Sequence, residues 1–189
     1  DALKERLLNI NPKLEVKVYP KDFLKMDESE EKEIFEDADL SLMMTDDFYA
    51  QARGNIVGLK YQVPTVFAIM YARARGSEIT FTITGITPAC HRCAVGSRYK
   101  AYLKDGFVNN VTSVGSTNFH TQYLNSSIGL LSLAILHRMT EGYEFSNWFG
   151  ETWDKNLIQL RTSPFYEGKL FARTFEGIEK VYCFDSMWQ

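Results

Sequence analysis

The sequence predicts an α/β fold: a mixed sheet whose parallel strands are extended by antiparallel ones, with helices packed on it. Three stretches carry this reading. Residues 39–45 form a short apolar run (Asp39-Leu40-Ser41-Leu42-Met43-Met44-Thr45) that stops at the carboxylates Asp46 and Asp47, the pattern of a buried strand. Residues 77–84 alternate and are β-branched, the pattern of a strand paired within a sheet. Residues 124–139 are apolar almost all round, which suits a helix buried against a sheet or against a second copy of the chain.

The other elements follow in order. Leu3, Leu7, Leu8 and Ile10 share one helical face over residues 1–9, and Asn11-Pro12 ends that helix. Leu14, Val16 and Val18 alternate with Glu15, Lys17 and Tyr19, predicting a strand closed by Pro20. Residues 21–37 are rich in charge and read as a solvated helix or loop with no function attached. Residues 47–61 predict a helix, although Gly54 and Gly58 weaken it by about 1 kcal/mol each.

Val63-Pro64 restarts the chain as a strand through Ile69 or Tyr71. The short turn at residues 72–76 then forces local antiparallel pairing with residues 77–84, since so brief a link cannot make a parallel crossover. Residues 95–103 fit no single pattern, and residues 106–120 are polar and read as loop. Asn125 or Ser126 can cap the long helix. Residues 142–156 read as loop, and residues 156–161, 169–174 and 178–184 as strands.

With 189 residues, 45% of them hydrophobic and 14% aromatic, the chain can bury one sizeable core, and a single domain over 1–189 is the simplest division. Within it, 1–140 forms the core and 141–189 an aromatic loop and β-rich tail. A formal net charge of -3 gives no basic footprint for nucleic acid. No stretch reaches the roughly 20 unbroken apolar residues that span a bilayer. The charged, amphipathic start, which lacks Met, reads as no signal peptide and as the boundary of a piece of a longer chain. Three cysteines, two of them close together, point to a reducing, cytoplasmic setting and to metal rather than a disulfide framework.

Candidate chemistry lies at three places. In open α/β sheets ligands sit beyond the carboxyl ends of the strands, so Thr45 and Asp46 face a crevice. There Asp46 either caps the next helix or holds Mg²⁺ and orients phosphates, and its neighbour Asp47 can take the other task. Cys90 and Cys93 have the spacing of half a zinc site, but a redox pair or an inert pair fits the same spacing. Cys183 is available as a third zinc ligand, and the set stays one ligand short. Arg53, Arg73 and Arg75 are either surface cations or partners for phosphate or carboxylate. No Gly-x-Gly-x-x-Gly or Gly-x-x-x-x-Gly-Lys-Ser/Thr phosphate loop occurs, and no Gly-x-Ser-x-Gly.

The ordered set Ile10-Asn11-Pro12, Thr45-Asp46-Asp47 with Arg53, Val63-Pro64-Thr65-Val66, Cys90-His91-Arg92-Cys93 and Ser127-Ile128-Gly129 resembles the ThiF/MoeB family. These are adenylating enzymes related to ubiquitin-activating enzymes, and their pattern includes "D-x-T-D-N-x-x-x-R" and "C-x-R-C". The resemblance spans residues 7–139 and implies a Rossmann-like core. It also implies ATP and Mg²⁺ as cofactors, a ubiquitin-like or sulfur-carrier protein as substrate, and a homodimer.

By this resemblance Asp46 matches the carboxylate facing Mg²⁺ and ATP, Arg53 a common arginine of the following helix, and Cys90 and Cys93 two zinc ligands. Asp47 departs from the usual Asn. No cysteine lies between Cys93 and Cys183 to carry a thioester or persulfide. The family's Gly-rich loop and ATP-contacting Arg and Lys fall before residue 1, so the chain corresponds to the C-terminal portion of such a domain and is expected not to adenylate alone. Two other readings remain: a Rossmann-like domain of a redox enzyme, and a non-catalytic dimerisation or interaction module.

Overall fold

The computed structural model describes residues 2–104, 115–142, 153 and 155–161. Cys183, Trp148 and the two expected tail strands at 169–174 and 178–184 lie outside them. The described residues form one four-stranded sheet in the order β1-β2-β3-β4. Strand β1 (Ser41–Met43) runs parallel to β2 (Thr65–Met70). Strand β3 (Gly76–Thr82) returns antiparallel to β2, and β4 (Leu157–Arg161) pairs antiparallel with β3. This is the expected mixed sheet, with its parallel pair at one edge. The carboxyl ends of β1 and β2 therefore share a rim with the start of β3.

Register divides the sheet into two faces. Val66, Ala68, Ile79, Phe81, Ile158 and Leu160 form one core with Leu124, Ile128, Leu131 and Ile135 of the long helix α6 (Asn118–Leu136). The opposite face carries Thr65, Phe67, Glu78, Thr80 and Thr82, as the pairing of Phe67 with Thr80 and of Ile69 with Glu78 requires. It is covered by α3 (Phe48–Lys60), α4 (His91–Ala94) and α5 (Gly96–Tyr102). Phe48, Ala52, Val95, Tyr99 and Leu157 cluster there, and the Phe48 and Tyr102 rings stack at 3.9 Å.

Helix α3 sits tightly against β1 and β2 because of the two glycines that lower its helical propensity. A methyl group on Gly54 would meet the Met43 side chain, and one on Gly58 would meet Thr65.

Helix α1 (Ala2–Ile10) ends where Asn11-Pro12 predicts, but none of its residues is buried. The expected strand at residues 14–18 does not form. The backbone there makes no ladder, and Leu14 and Val18 are exposed. Alternation favours extended backbone, but a strand also needs a neighbour to receive its hydrogen bonds. The charged stretch at 21–37 is more ordered than its composition suggests. It holds a 3-10 turn and α2 (Glu28–Phe35), opened by a capping box between Asp27 and Glu30. Helix α6 starts earlier than expected: Thr117 precedes it, its backbone N–H donating to Nδ1 of His120 at 3.2 Å, and Asn125 and Ser126 lie inside the helix.

Candidate functional site at the strand rim

The Thr45-Asp46-Asp47 tip sits immediately past β1. Asp47 takes the capping role: its carboxylate accepts from the backbone N–H of Ala50 at 2.7 Å, and its own N–H donates to the Thr45 hydroxyl at 3.1 Å. Asp46 is thereby released from the helix end and lies exposed at the rim. Gln51, one turn into α3 and buried, donates from Nε2 to the Thr45 carbonyl at 2.6 Å and to the Ala68 carbonyl at 3.4 Å. The β1–β2 ladder ends at the pair Met43–Phe67, so the Gln51 amide reaches β2 just beyond the last paired residue.

Arg73 lies on the same rim, in the turn joining β2 to β3. It is exposed, and both Arg73 and Ala74 adopt positive φ, at 59° and 48°. Two consecutive non-glycine residues in the left-handed region cost roughly 1–3 kcal/mol each, and such strain gathers at functional sites.

Arg53 does not join this group. Its guanidinium donates to the carbonyls of Leu24 (2.6 Å) and Met26 (2.7 Å), pairs with Glu31 at 3.1 Å, and lies over the Phe23 ring. It fastens the 3-10 turn and α2 to α3, beside a groove of about 550 Å³ away from the strand tips. Counted along the pattern D-x-T-D-N-x-x-x-R, the fourth residue after Asp47 is Gln51, and it is Gln51 that reaches the strand ends.

A polar cleft of about 330 Å³ opens on the helix-covered face near this rim, lined by Tyr71, Glu78, Ser97, Arg98 and Gln159 among others. Glu78 is buried; Arg98 pairs with it at 2.6 Å and the Tyr71 hydroxyl donates to it at 2.7 Å. A carboxylate at this depth needs such partners. The sequence reading missed Gln51, Glu78 and Arg98. The available signal for Glu78 was its position as the charged residue in an otherwise apolar and hydroxyl-bearing strand.

The knuckle packs into the same face. Cys90 precedes α4 and is fully buried, while Cys93 is partly exposed; both are thiols rather than a disulfide. Asn156 holds the preceding loop, donating from Nδ2 to the carbonyls of Phe81 and Ala89. His91 stacks on Phe67 at 4.0 Å, and its Nδ1 lies 2.6 Å from the Thr80 hydroxyl. Burial first, and the nearby positive charge of Arg98 second, push its pKa down to about 3, so the imidazole is neutral.

Among the described residues no group of three or more His, Cys, Asp or Glu side chains comes together as a metal site. The two thiols do not fit zinc unaided, and Cys183 lies outside the described residues. Asp46 fits Mg²⁺ better, because that ion commonly uses one or two carboxylates together with substrate phosphates.

No protein-family model matches the chain, and no curated protein sequence does. Solved structures do. E. coli MccB with AMPCPP and MccA matches at TM-score 0.57 and 14% identity, over 97% of this chain and 49% of that one. MccB with ATP matches at 0.56 and 14%, and MccB with succinimide at 0.56 and 13%, with the same coverage. The chain thus spans about half the length of these proteins. The likeness is one of fold.

Proposed function

We propose that this chain supplies part of the active site of an adenylating enzyme. Such an enzyme joins the C-terminal carboxylate of a peptide, ubiquitin-like or sulfur-carrier protein to the α-phosphorus of ATP and releases pyrophosphate. The observation that carries this is the division of labour at the β1 tip: Asp47 caps α3, and Asp46 is left exposed where an α/β sheet meets its ligands. The presence of ATP or AMPCPP, and of MccA, in the structures of similar fold supports a nucleotide and a peptide-like partner.

In this reading Asp46 holds Mg²⁺ and the strained turn presents Arg73 to the phosphates. Mg²⁺, when bound, neutralises phosphate charge. A second copy of the chain as partner belongs to the same reading, as does a thiol-reducing, cytoplasmic setting.

Calorimetric titration with Mg²⁺ and ATP tests the site. Binding is expected, weakened about tenfold by Asp46→Asn, equivalent to losing about 1.4 kcal/mol. Unchanged affinity in that variant overturns the proposal, and tight binding of NAD or FAD instead of ATP favours a redox domain. Pyrophosphate exchange by the 189-residue chain alone, at a full-length relative's rate, would refute its role as one part of a larger site.

A further inference from the structure

Resting on that reading, we infer that Gln51 is a positioning residue for the metal–nucleotide site, acting through the Thr45-Asp46-Asp47 tip rather than by touching ligand. The tip leaves the sheet after Met43, where the β1–β2 ladder ends. From there Asp46 has no strand partner to set its height above the rim. Three bonds replace the ladder. The Thr45 hydroxyl accepts from the Asp47 N–H, the Asp47 carboxylate accepts from the Ala50 N–H, and the Gln51 amide donates to the Thr45 carbonyl.

The first bond is internal to the turn and the second joins it to the first turn of α3, so neither ties the tip to the sheet. The Gln51 bond anchors it elsewhere, because the same amide nitrogen also reaches the Ala68 carbonyl of β2. Gln51 therefore ties three bodies together: the tip, the helix that Asp47 caps, and the neighbouring strand. The site carboxylate is one residue beyond the clamped carbonyl. Gln51 is buried, so water does not readily substitute for the lost donor.

The consequence is specific to the metal. Losing the clamp should displace the Asp46 carboxylate while leaving groups elsewhere that hold the nucleotide in place. The test is Mn²⁺ binding in the presence of ATP, followed by EPR on the whole chain, alongside ATP binding in EDTA. Gln51→Met keeps the volume and removes the donor. It is expected to weaken Mn²⁺–ATP binding about tenfold, the equivalent of one buried hydrogen bond, with metal-free ATP affinity within about twofold of wild type.

Gln51→Arg, which restores a donor and places the family's residue at this position, is expected to recover most of the loss. A purely structural role would lower both affinities together or neither. If Asp46→Asn loses metal-dependent binding and Gln51→Met does not, the inference fails while the proposed function stands. If Asp46→Asn binds like wild type, or the wild-type chain takes up no Mn²⁺ with ATP, the proposed function fails and this inference with it. A Gln51→Met chain that does not fold leaves Gln51→Arg to decide: equal loss in both affinities there overturns the inference.

Discussion

The two faces of β3 are buried to the same degree and built from opposite chemistry. Ile79 and Phe81 are 0% exposed and pack on α6; Thr80 and Glu78, at 1% and 6%, look toward α3, α4 and α5. The first face is packed mainly by apolar side chains, and their burial stabilises the fold at roughly 25 cal/mol per Å². On the second, buried polar groups pair with one another: Glu78 with Arg98 and Tyr71, Thr80 with His91, and Thr82 with the His91 N–H. Such networks contribute little net stability, since desolvation offsets much of each bond, but they fix positions. The apolar face holds the sheet together, and the polar face fixes the positions of the side chains buried in it.

That contrast can be broken by substitution. Leu131→Ala, at a fully buried site in α6, should cost about 3–5 kcal/mol, as a large-to-small change in a close-packed core does. Thr80→Val, nearly the same shape on the other face, should cost only about 1–2 kcal/mol, from the orphaned His91 nitrogen. Urea denaturation at neutral pH measures both. Equal losses would mean that the polar face is a second stability core.

These faces also show what the sequence makes legible. The period-2 pattern of residues 77–84 reports a paired strand because Ile79 and Phe81 do alternate with Thr80 and Thr82. It does not reveal that both sides are buried, since hydroxyl-bearing residues read as a wet face. The same pattern at residues 14–18 has no partner strand and forms none. Asp46 and Asp47 were legible as a pair; which one caps depends on where the turn closes, a matter of one residue. Arg53 stands in the helix after Asp46, as the resemblance implies, yet carbonyls of a distant segment claim its guanidinium. The zinc expectation rested on the Cys90/Cys93 spacing, and spacing does not bring up further ligands.

A second way to sharpen the contrast is pH. The His91 imidazole is held neutral, its pKa pushed from 6.5 to about 3 chiefly by burial. The unfolded chain takes up a proton near 6.5 and the folded chain does not, so the folded form binds fewer protons through that interval. Stability is therefore complete above about pH 6.5 and is lost as pH falls toward 3, with a slope from this group of at most about 1.4 kcal/mol per pH unit. His91→Gln should flatten the curve of stability against pH between 6 and 4, whatever it does at pH 7. A wild-type-like slope in that variant would show that other groups control the acid limb.

The smallest effect is the most diagnostic, because it separates two adjacent carboxylates. Asp47 caps α3, so Asp47→Ala should cost about 1 kcal/mol of stability. Asp46 is exposed and stands outside the cap, so Asp46→Ala should change stability by no more than about 0.5 kcal/mol, the range of ordinary surface substitutions. If both substitutions cost the same, Asp46 belongs to the cap as well, and the division of labour between the two carboxylates is gone.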